Sequence, residues 1–471
     1  MQKLPDINQN FSDWYNEVVY KAELADQAPV KGCIVIRPYG WGIWELIQNH
    51  LDDRIKATGH QNCAFPLLIP ESFIKREAKH IEGFAPELAV VTHAGGKELE
   101  ESLVVRPTSE TMVHYMFAQW MNSWRDLPIK VNQWCSVVRW EMRTRPFLRT
   151  TEFFWQEGHT AHATYEEAAA EAKMMMQEYV SLAQNHLAIP VIEGRKSDQE
   201  RFAGADITYT FEAMMQDGKA LQMGTSHLLS QNFAKSFEMS FQDQSGKLAY
   251  PYLTSWGVTT RLIGAVVATH GDQNGLILPP KIAPIQVVIV PVAAKPGDQV
   301  WQAAEQIKSD LEKVGVRVKF DDRDHLRPGA KFYEWELKGV PVRIELGPKD
   351  LAQAQVVLVD RLSSEKQSIA LVNLVDSVQA ELIELQKALF DRAQARLVQN
   401  WHKAAKLDQF GPNLENHAGI YQTGWCQSPA CEAELKKFKA TTRCLIEDRE
   451  FETCFNCDQA SSTDVIVAKA Y

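Results

Sequence analysis

Residues 137–154 read VVRWEMRTRPFLRTTEFF, and four arginines fall in the eleven positions 139–149. Segments rich in β-formers flank them, which predicts a β-hairpin presenting guanidinium groups along one edge. The spacing is R-x-E at Arg139 and Glu141, then R-x-x-x-F at Arg149 and Phe153. Guanidinium forks match phosphate oxygens in a bidentate way. Phe153 can lie flat on a purine ring, and Glu141 can accept from an exocyclic amine. The hairpin reads as an ATP site made of strands, with no glycine-rich loop. The competing reading is a solvated, arginine-rich surface.

Upstream, residues 39–59 read YGWGIWELIQNHLDDRIKATG. Ile43, Leu46, Ile47, Leu51 and Ile55 recur at helical spacing, and Gly59 is a stop signal. A strand-like NCAFPLLIP follows, closing on Pro70. Downstream, residues 254–270 read TSWGVTTRLIGAVVATH, where Arg261 is the single charge in an apolar run. Such an arginine needs an anion or a carboxylate partner, because burying it unpaired is costly.

Taken in order, these three stretches resemble the three signature motifs of class II aminoacyl-tRNA synthetases. The resemblance implies that the first motif builds a homodimer interface. Arg139 would hold the α-phosphate, Glu141 the adenine amine, Phe153 the adenine face, and Arg261 the γ-phosphate side. Longer blocks are similar to prolyl-tRNA synthetases of the compact archaeal and eukaryote-like subtype: RPTSE at 106–110, WQEGHTAHAT at 155–164, FAGA at 202–205 and QMGTSH at 222–227. That resemblance runs along essentially the whole chain. It implies a proline receptor in which Thr108 and Glu110 meet the ammonium and Arg139 faces the carboxylate. Trp155, Phe202 and His227 would shape the ring pocket, with Glu157 and His159 close by. Arg149, Thr150, Gln222, Thr225 and Thr259 join the ATP residues. ATP is then a substrate with Mg²⁺, L-proline and the tRNA for proline are partners, and Arg139 and Arg261 carry catalysis by stabilising charge. The TSET segment before MVHYMFAQWM also fits a helix N-cap, and Trp155 and Phe202 also read as core aromatics.

At 471 residues and 45 % apolar content the chain has room for several domains. The fold class expected is an α+β catalytic domain with an antiparallel sheet at 1–278. An α/β anticodon-binding domain at 283–390 and a small α+β zinc-binding domain at 395–471 follow. Alternating segments QVVIVPV, 298–314, VRVKFD, 329–338, VRIELG and VVLVD predict the small mixed sheet of the second. There the resemblance offers Glu336, Arg343 and Lys349 as readers of the anticodon guanines, and a solvated charged surface is the alternative. Between residues 153 and 254 lie about a hundred residues that already hold a helix and pocket segments. No editing domain in cis is expected. A pocket sized for proline then excludes larger side chains but rejects smaller ones weakly, at about 1–3 kcal/mol per lost methylene.

Cys426-x4-Cys431 and, 22 residues on, Cys454-x2-Cys457 form two close pairs suited to structural tetrahedral Zn²⁺. Cys444 between them is a substitute candidate, while Cys33, Cys63 and Cys135 read as core residues. Tyr471 is expected near the active site, by resemblance. The net charge of −10 leaves tRNA to local basic patches. No run long enough to span a membrane occurs, and no apolar signal core opens the chain, so a cytoplasmic enzyme is the expectation. Two other readings stay open: a class II synthetase for threonine, serine or glycine, and a tRNA-binding paralogue without catalysis.

Overall fold

A computed structural model describes residues 3–76, 88–415 and 419–471. The predicted first-motif helix forms as Pro38–Ala57, with proline at its first position where a missing N–H costs nothing. Ile43, Trp44, Ile47, Leu51 and Ile55 bury one face, while Leu46 is only half-buried. The helix lies along Tyr165–Asn185, to which Arg54 is tied through Glu178 at 2.6 Å. NCAFPLLIP is not one strand. Gln61–Asn62 joins one sheet and Leu68–Pro70 another, because Pro66 between them has no N–H to give a ladder.

The predicted hairpin is Ile129–Val138 paired antiparallel with Glu152–His162, in register from Ile129↔Ala161 to Val138↔Glu152. Arg139, Glu141 and Arg149 therefore sit on the connecting loop rather than on the strands. Glu152–His162 pairs onward with Tyr252–Thr259, then Ala220–Ser230, Ile207–Met214 and Ile192–Arg195, all antiparallel. Helices Pro38–Ala57, Tyr165–Asn185 and Arg261–His270 cover one face, and their apolar sides merge into the largest core. The expected antiparallel α+β core is what forms.

The second unit is a five-stranded mixed sheet. Val318–Phe320, Val287–Pro291 and Val342–Leu346 run parallel; Gln355–Asp360 returns antiparallel to Val342–Leu346, and Lys366–Ala370 pairs antiparallel with Gln355–Asp360 at the edge. Asp298 caps the helix Gln299–Lys313 by accepting from the Trp301 amide. The C-terminal strands do not make an isolated sheet. Ala440–Ile446 pairs through Leu445 with Arg195, so strands 401–403, 420–425, 463–469 and 440–446 extend the catalytic sheet to eleven strands among the described residues.

Helix Leu374–Gln399 runs unbroken through residues 390–395, where the sequence predicts a boundary. Its Leu374, Val378 and Leu382 pack in the second unit's core, Leu385 and Leu389 against Ala188 and Ile277, and Leu397 against Ile192 and Ile420. One helix thus ties the three units together, and we propose that the division follows Gln399. Among the described residues, no helix is long and apolar enough to cross a membrane.

Candidate active site and cysteine cluster

One cavity of about 280 Å³ lies on the face of the catalytic sheet opposite its covering helices. Its walls bring together every residue proposed above for the amino acid and for ATP: Thr108, Glu110, Arg139, Glu141, Arg149, Thr150, Phe153, Trp155, Glu157, His159, Phe202, Gln222, Thr225, His227, Thr259 and Arg261. They span more than 150 positions of chain, and the sheet register, the loop between its first two strands and two helix starts assemble them.

The cationic end is built from loops and a helix start. Arg261 is the first residue of Arg261–His270, whose N-terminus adds its own positive potential. Its Nε donates to Leu148 O at 3.1 Å and its Nη1 to Gln222 O at 3.0 Å. Among the described residues no carboxylate pairs with it. Burial first, then Arg149 and Arg139, push its pKa down to about 10. At the helix's far end, Arg396 donates to Thr269 O at 2.8 Å and Arg392 to His270 O. Arg139 is anchored by Nε to Pro107 O at 3.0 Å and lies 5.4 Å from the Phe153 ring and 5.5 Å from Trp155. It therefore stands between the Phe153 and Trp155 walls of the cavity. Glu141 pairs with Arg149 at 3.3 Å, and Thr150 turns its hydroxyl to Glu152 O.

The opposite end is acidic and enclosed. Glu110 sits in the first turn of Glu110–Trp120 and accepts from Thr108. Ser109 is the N-cap, but its hydroxyl serves Glu157 instead of the helix. Glu157 is 2 % exposed and also accepts from Gln133 at 2.6 Å, with His159 Nε2 at 3.2 Å. Burial works against its charge, yet hydrogen bonds from His159, Ser109 and Gln133 win and hold its carboxyl below the usual range. The His159 imidazole is correspondingly raised by Glu157 and Glu110 against the pull of burial. His227 lies between the Thr208 and Thr225 hydroxyls, each at 2.9 Å, and the Phe202 ring rests 4.7 Å from it. Burial, with help from His159 and Arg139, lowers its pKa to about 3, so the ring is neutral. Gly158 leaves room for Trp256, whose ring would lie 2.0 Å from a Cβ there.

Sequence reasoning missed Lys196, Glu200, Thr208 and Trp256, which also line the cavity. Lys196 binds Glu212 and a carbonyl of the C-terminal strands, a relation that no local spacing reveals.

Two of the three anticodon candidates meet. Glu336 and Arg343 line a second cavity with Trp335, Arg361 and Lys366. Arg343 is held by Glu345 at 3.0 Å and covers the Phe332 ring. Lys349 is not brought there; it is exposed on the short helix Pro348–Ala352.

Cys426, Cys431, Cys454 and Cys457 converge, with all four sulfurs within 4.8 Å of one another. Cys426 Sγ lies 3.8 Å from Cys431 Sγ and 3.7 Å from Cys457 Sγ. A zinc tetrahedron with Zn–S of about 2.3 Å has an S–S edge of about 3.8 Å, so the donor set fits Zn²⁺. Cys444 is no substitute: its side chain packs against Ile192 and Met214 on the seam with the catalytic sheet. Cys33, Cys63 and Cys135 are half-buried rather than fully internal, and Cys135 Sγ accepts from Trp155 Nε1 at 3.1 Å beside the cavity.

An antiparallel sheet bearing an arginine-rich hairpin loop, with an arginine heading the helix that follows its next strand, defines a class II aminoacyl-tRNA synthetase core. Family comparison agrees. The tRNA synthetase class II core domain (G, H, P, S and T) matches residues 91–270, an anticodon-binding domain matches 286–381, and a prolyl-tRNA synthetase C-terminal domain matches 407–471. Proline–tRNA ligase 2 of Clostridioides difficile is 49 % identical over 474 residues, covering 100 % of this chain and 98 % of that protein. Proline–tRNA ligase of Alkaliphilus oremlandii is likewise 49 % identical with the same coverage. A crystal structure of prolyl-tRNA synthetase from Cryptosporidium parvum, complexed with halofuginone and AMPPNP, superposes with a TM-score of 0.95 at 40 % identity, covering 99 % of both chains. The chain belongs to the proline–tRNA ligase family.

Proposed function

We propose that this chain activates L-proline with ATP and transfers it to the terminal adenosine of the tRNA for proline. The observation that carries this reading is the charge layout of one cavity: Arg149 and Arg261 at one end, Glu110 and Glu157 at the other, and Arg139 between. ATP would lie along the arginines, with its adenine on Phe153 and its amine toward Glu141. The proline ammonium would face Thr108 and Glu110, and its ring would fill the wall of Trp155, Phe202 and His227. Its carboxylate would reach Arg139. That oxygen attacks the α-phosphorus in line and pyrophosphate leaves. No protein nucleophile is required; positioning and the fixed guanidiniums stabilise the developing negative charge. Gln222, Thr225 and Thr259 border the nucleotide side.

Mg²⁺ would add positive charge on the phosphates. Among the described residues the cysteine set is the one group of three or more His, Cys, Asp or Glu side chains placed to hold an ion; Mg²⁺ would come with ATP, whose phosphates supply ligands of their own. Zn²⁺ would cross-link the C-terminal strands through Cys426, Cys431, Cys454 and Cys457, a closed four-sulfur site without catalytic duty. Glu336 and Arg343 would read anticodon bases, the carboxylate accepting and the guanidinium donating.

The span between the hairpin and the third motif is filled by Tyr165–Asn185 and the core strands. This supports an enzyme without editing in cis. Exposed Leu67, Leu68, Val90, Tyr115 and Trp120 around the small sheet of strands 68–70, 89–94 and 97–105 support a homodimer. The free cysteines suit the cytoplasm. The test is charging of purified tRNA with labelled proline. Proline esterified to that tRNA supports the reading; charging with threonine, serine or glycine instead would replace it.

A further inference from the structure

The strand Ile192–Arg195 leads straight into the segment 196–206, which carries Phe202 to the cavity wall. Two buried side chains of the C-terminal part hold the start of that segment. Arg443 donates to Glu212 Oε2 through Nη2 at 2.7 Å and Nε at 3.1 Å. Glu212 Oε1 in turn accepts from Lys196 Nζ at 2.7 Å, and Lys196 Nζ also donates to Arg443 O at 2.9 Å. Next along the chain, Ser197 Oγ donates to Glu432 Oε1 at 2.7 Å, and Thr442 donates to the same oxygen. Arg443, Glu432, Lys196 and Ser197 are all buried. At its other end the segment is fixed from within the core: Phe202 N donates to Thr208 Oγ1 at 3.0 Å, and Thr208 Oγ1 contacts His227.

We infer that Glu432 and Arg443 are positioning residues for the amino-acid pocket. Neither lines the cavity. They fix Lys196 and Ser197, and through them the placement of Phe202 against His227. A charged, buried hydrogen bond is stiff and directional, and its loss leaves a polar group unpaired. The nucleotide half is anchored elsewhere, on Leu148 O, Gln222 O and Pro107 O. Loosening the seam should therefore degrade proline recognition and spare ATP. This also gives the cysteine-clamped C-terminal strands a role in selectivity. The inference rests on the reading that this pocket takes proline.

The experiment is steady-state ATP–pyrophosphate exchange on the full chain, zinc-loaded, with melting temperature recorded for each variant. Ser197→Ala breaks the link from the catalytic side without touching the cysteine-bearing part. Glu432→Ala breaks it from the other side, and Glu432→Gln keeps an oxygen for Ser197 and Thr442. Ser197→Ala and Glu432→Ala should each raise the KM for proline on the order of tenfold, with the KM for ATP unchanged. Both should narrow the preference for proline over alanine. The double variant should be no worse than the poorer single one, since both cut one link, and Glu432→Gln should restore most of the affinity. Unchanged proline KM and unchanged preference in Ser197→Ala, whatever its melting temperature, would overturn the inference, even if Glu432→Ala fails to fold. Equal rises in both KM values would also overturn it. Absence of proline activation in the unaltered chain would instead overturn the functional reading beneath it.

Discussion

Replacing Arg261 by Met should make the free protein more stable and the enzyme far slower. The guanidinium is held by two carbonyls and by no carboxylate among the described residues, with Arg139 and Arg149 close enough to disfavour its charge. Lowering a pKa from 12.5 to about 10 corresponds to about 3 kcal/mol against the charged form. The side chain is only partly enclosed, so solvent screening reduces this to about 1–2 kcal/mol. The sign is fixed: a cation whose folded pKa is depressed destabilises the fold at every pH where it stays charged. Met removes that repulsion and leaves Leu148 O and Gln222 O facing an open cavity where water can serve them. The free variant should gain up to about 1–2 kcal/mol in urea unfolding. ATP should stabilise the natural chain and barely affect the variant. Proline-dependent pyrophosphate exchange should fall about 10²–10³-fold, the cost of one missing charge-stabilising donor. Marked destabilisation of the free variant, with exchange retained, would refute the reasoning and make Arg261 a structural tie.

Stability should also fall as pH drops from 7 to 5. Burial depresses His162 and His186 to about 4 and His227 and His270 to about 3, so each stays neutral in the fold while the unfolded chain takes up its proton below about 6.5. His159 works the other way, its stabilisation present below about 6.5 and lost as pH rises through its raised folded value. Urea midpoints at pH 7.5, 6.5 and 5.5 check the sum; a midpoint that holds steady or rises on acidification contradicts it. Cys431→Ser should lose close to one equivalent of zinc per chain and lower the melting temperature, as read by metal analysis and calorimetry; full zinc content in the variant counts against the four-sulfur site. Deleting Tyr471, whose amide donates to Ala220 O at 3.0 Å and whose ring lies 4.9 Å under Arg145 of the hairpin loop, should slow activation several-fold while shifting melting by no more than a few degrees. Unchanged exchange kinetics would rule that contact out as functional.

The legible part of this fold is the part written in local spacing. Arg139, Glu141, Arg149 and Phe153 lie on or beside one tight hairpin, so their order in sequence is nearly their order in space. The βα alternation from 287 to 360 was equally plain, because buried strands such as Val287–Pro291 are continuous apolar runs. The helix Leu374–Gln399 carries a local signal of its own: Leu374, Val378, Leu382, Leu385, Leu389, Ala393 and Leu397 recur every three or four residues. Other features had no local signal. Lys196 owes its place to Glu212 and to Arg443, 247 residues away. The ladder that joins the C-terminal strands to the catalytic sheet rests on one residue pair, Leu445 with Arg195, far apart in sequence. Cys444 shares the spacing of a ligand but faces the apolar seam, since strand alternation turns it away from the cluster.

The most direct measurement is ATP–pyrophosphate exchange with proline, alanine, cysteine, threonine, serine and glycine, each alone, on the zinc-loaded chain. A pocket walled by Trp155, Phe202 and His227 predicts strong exchange with proline. Alanine and cysteine should give weak exchange, lower by the methylenes they lack, and the larger or more polar amino acids none above background. Strong exchange with threonine, serine or glycine would contradict the assignment of this pocket, and no exchange with any of the six would contradict its use as an adenylating site.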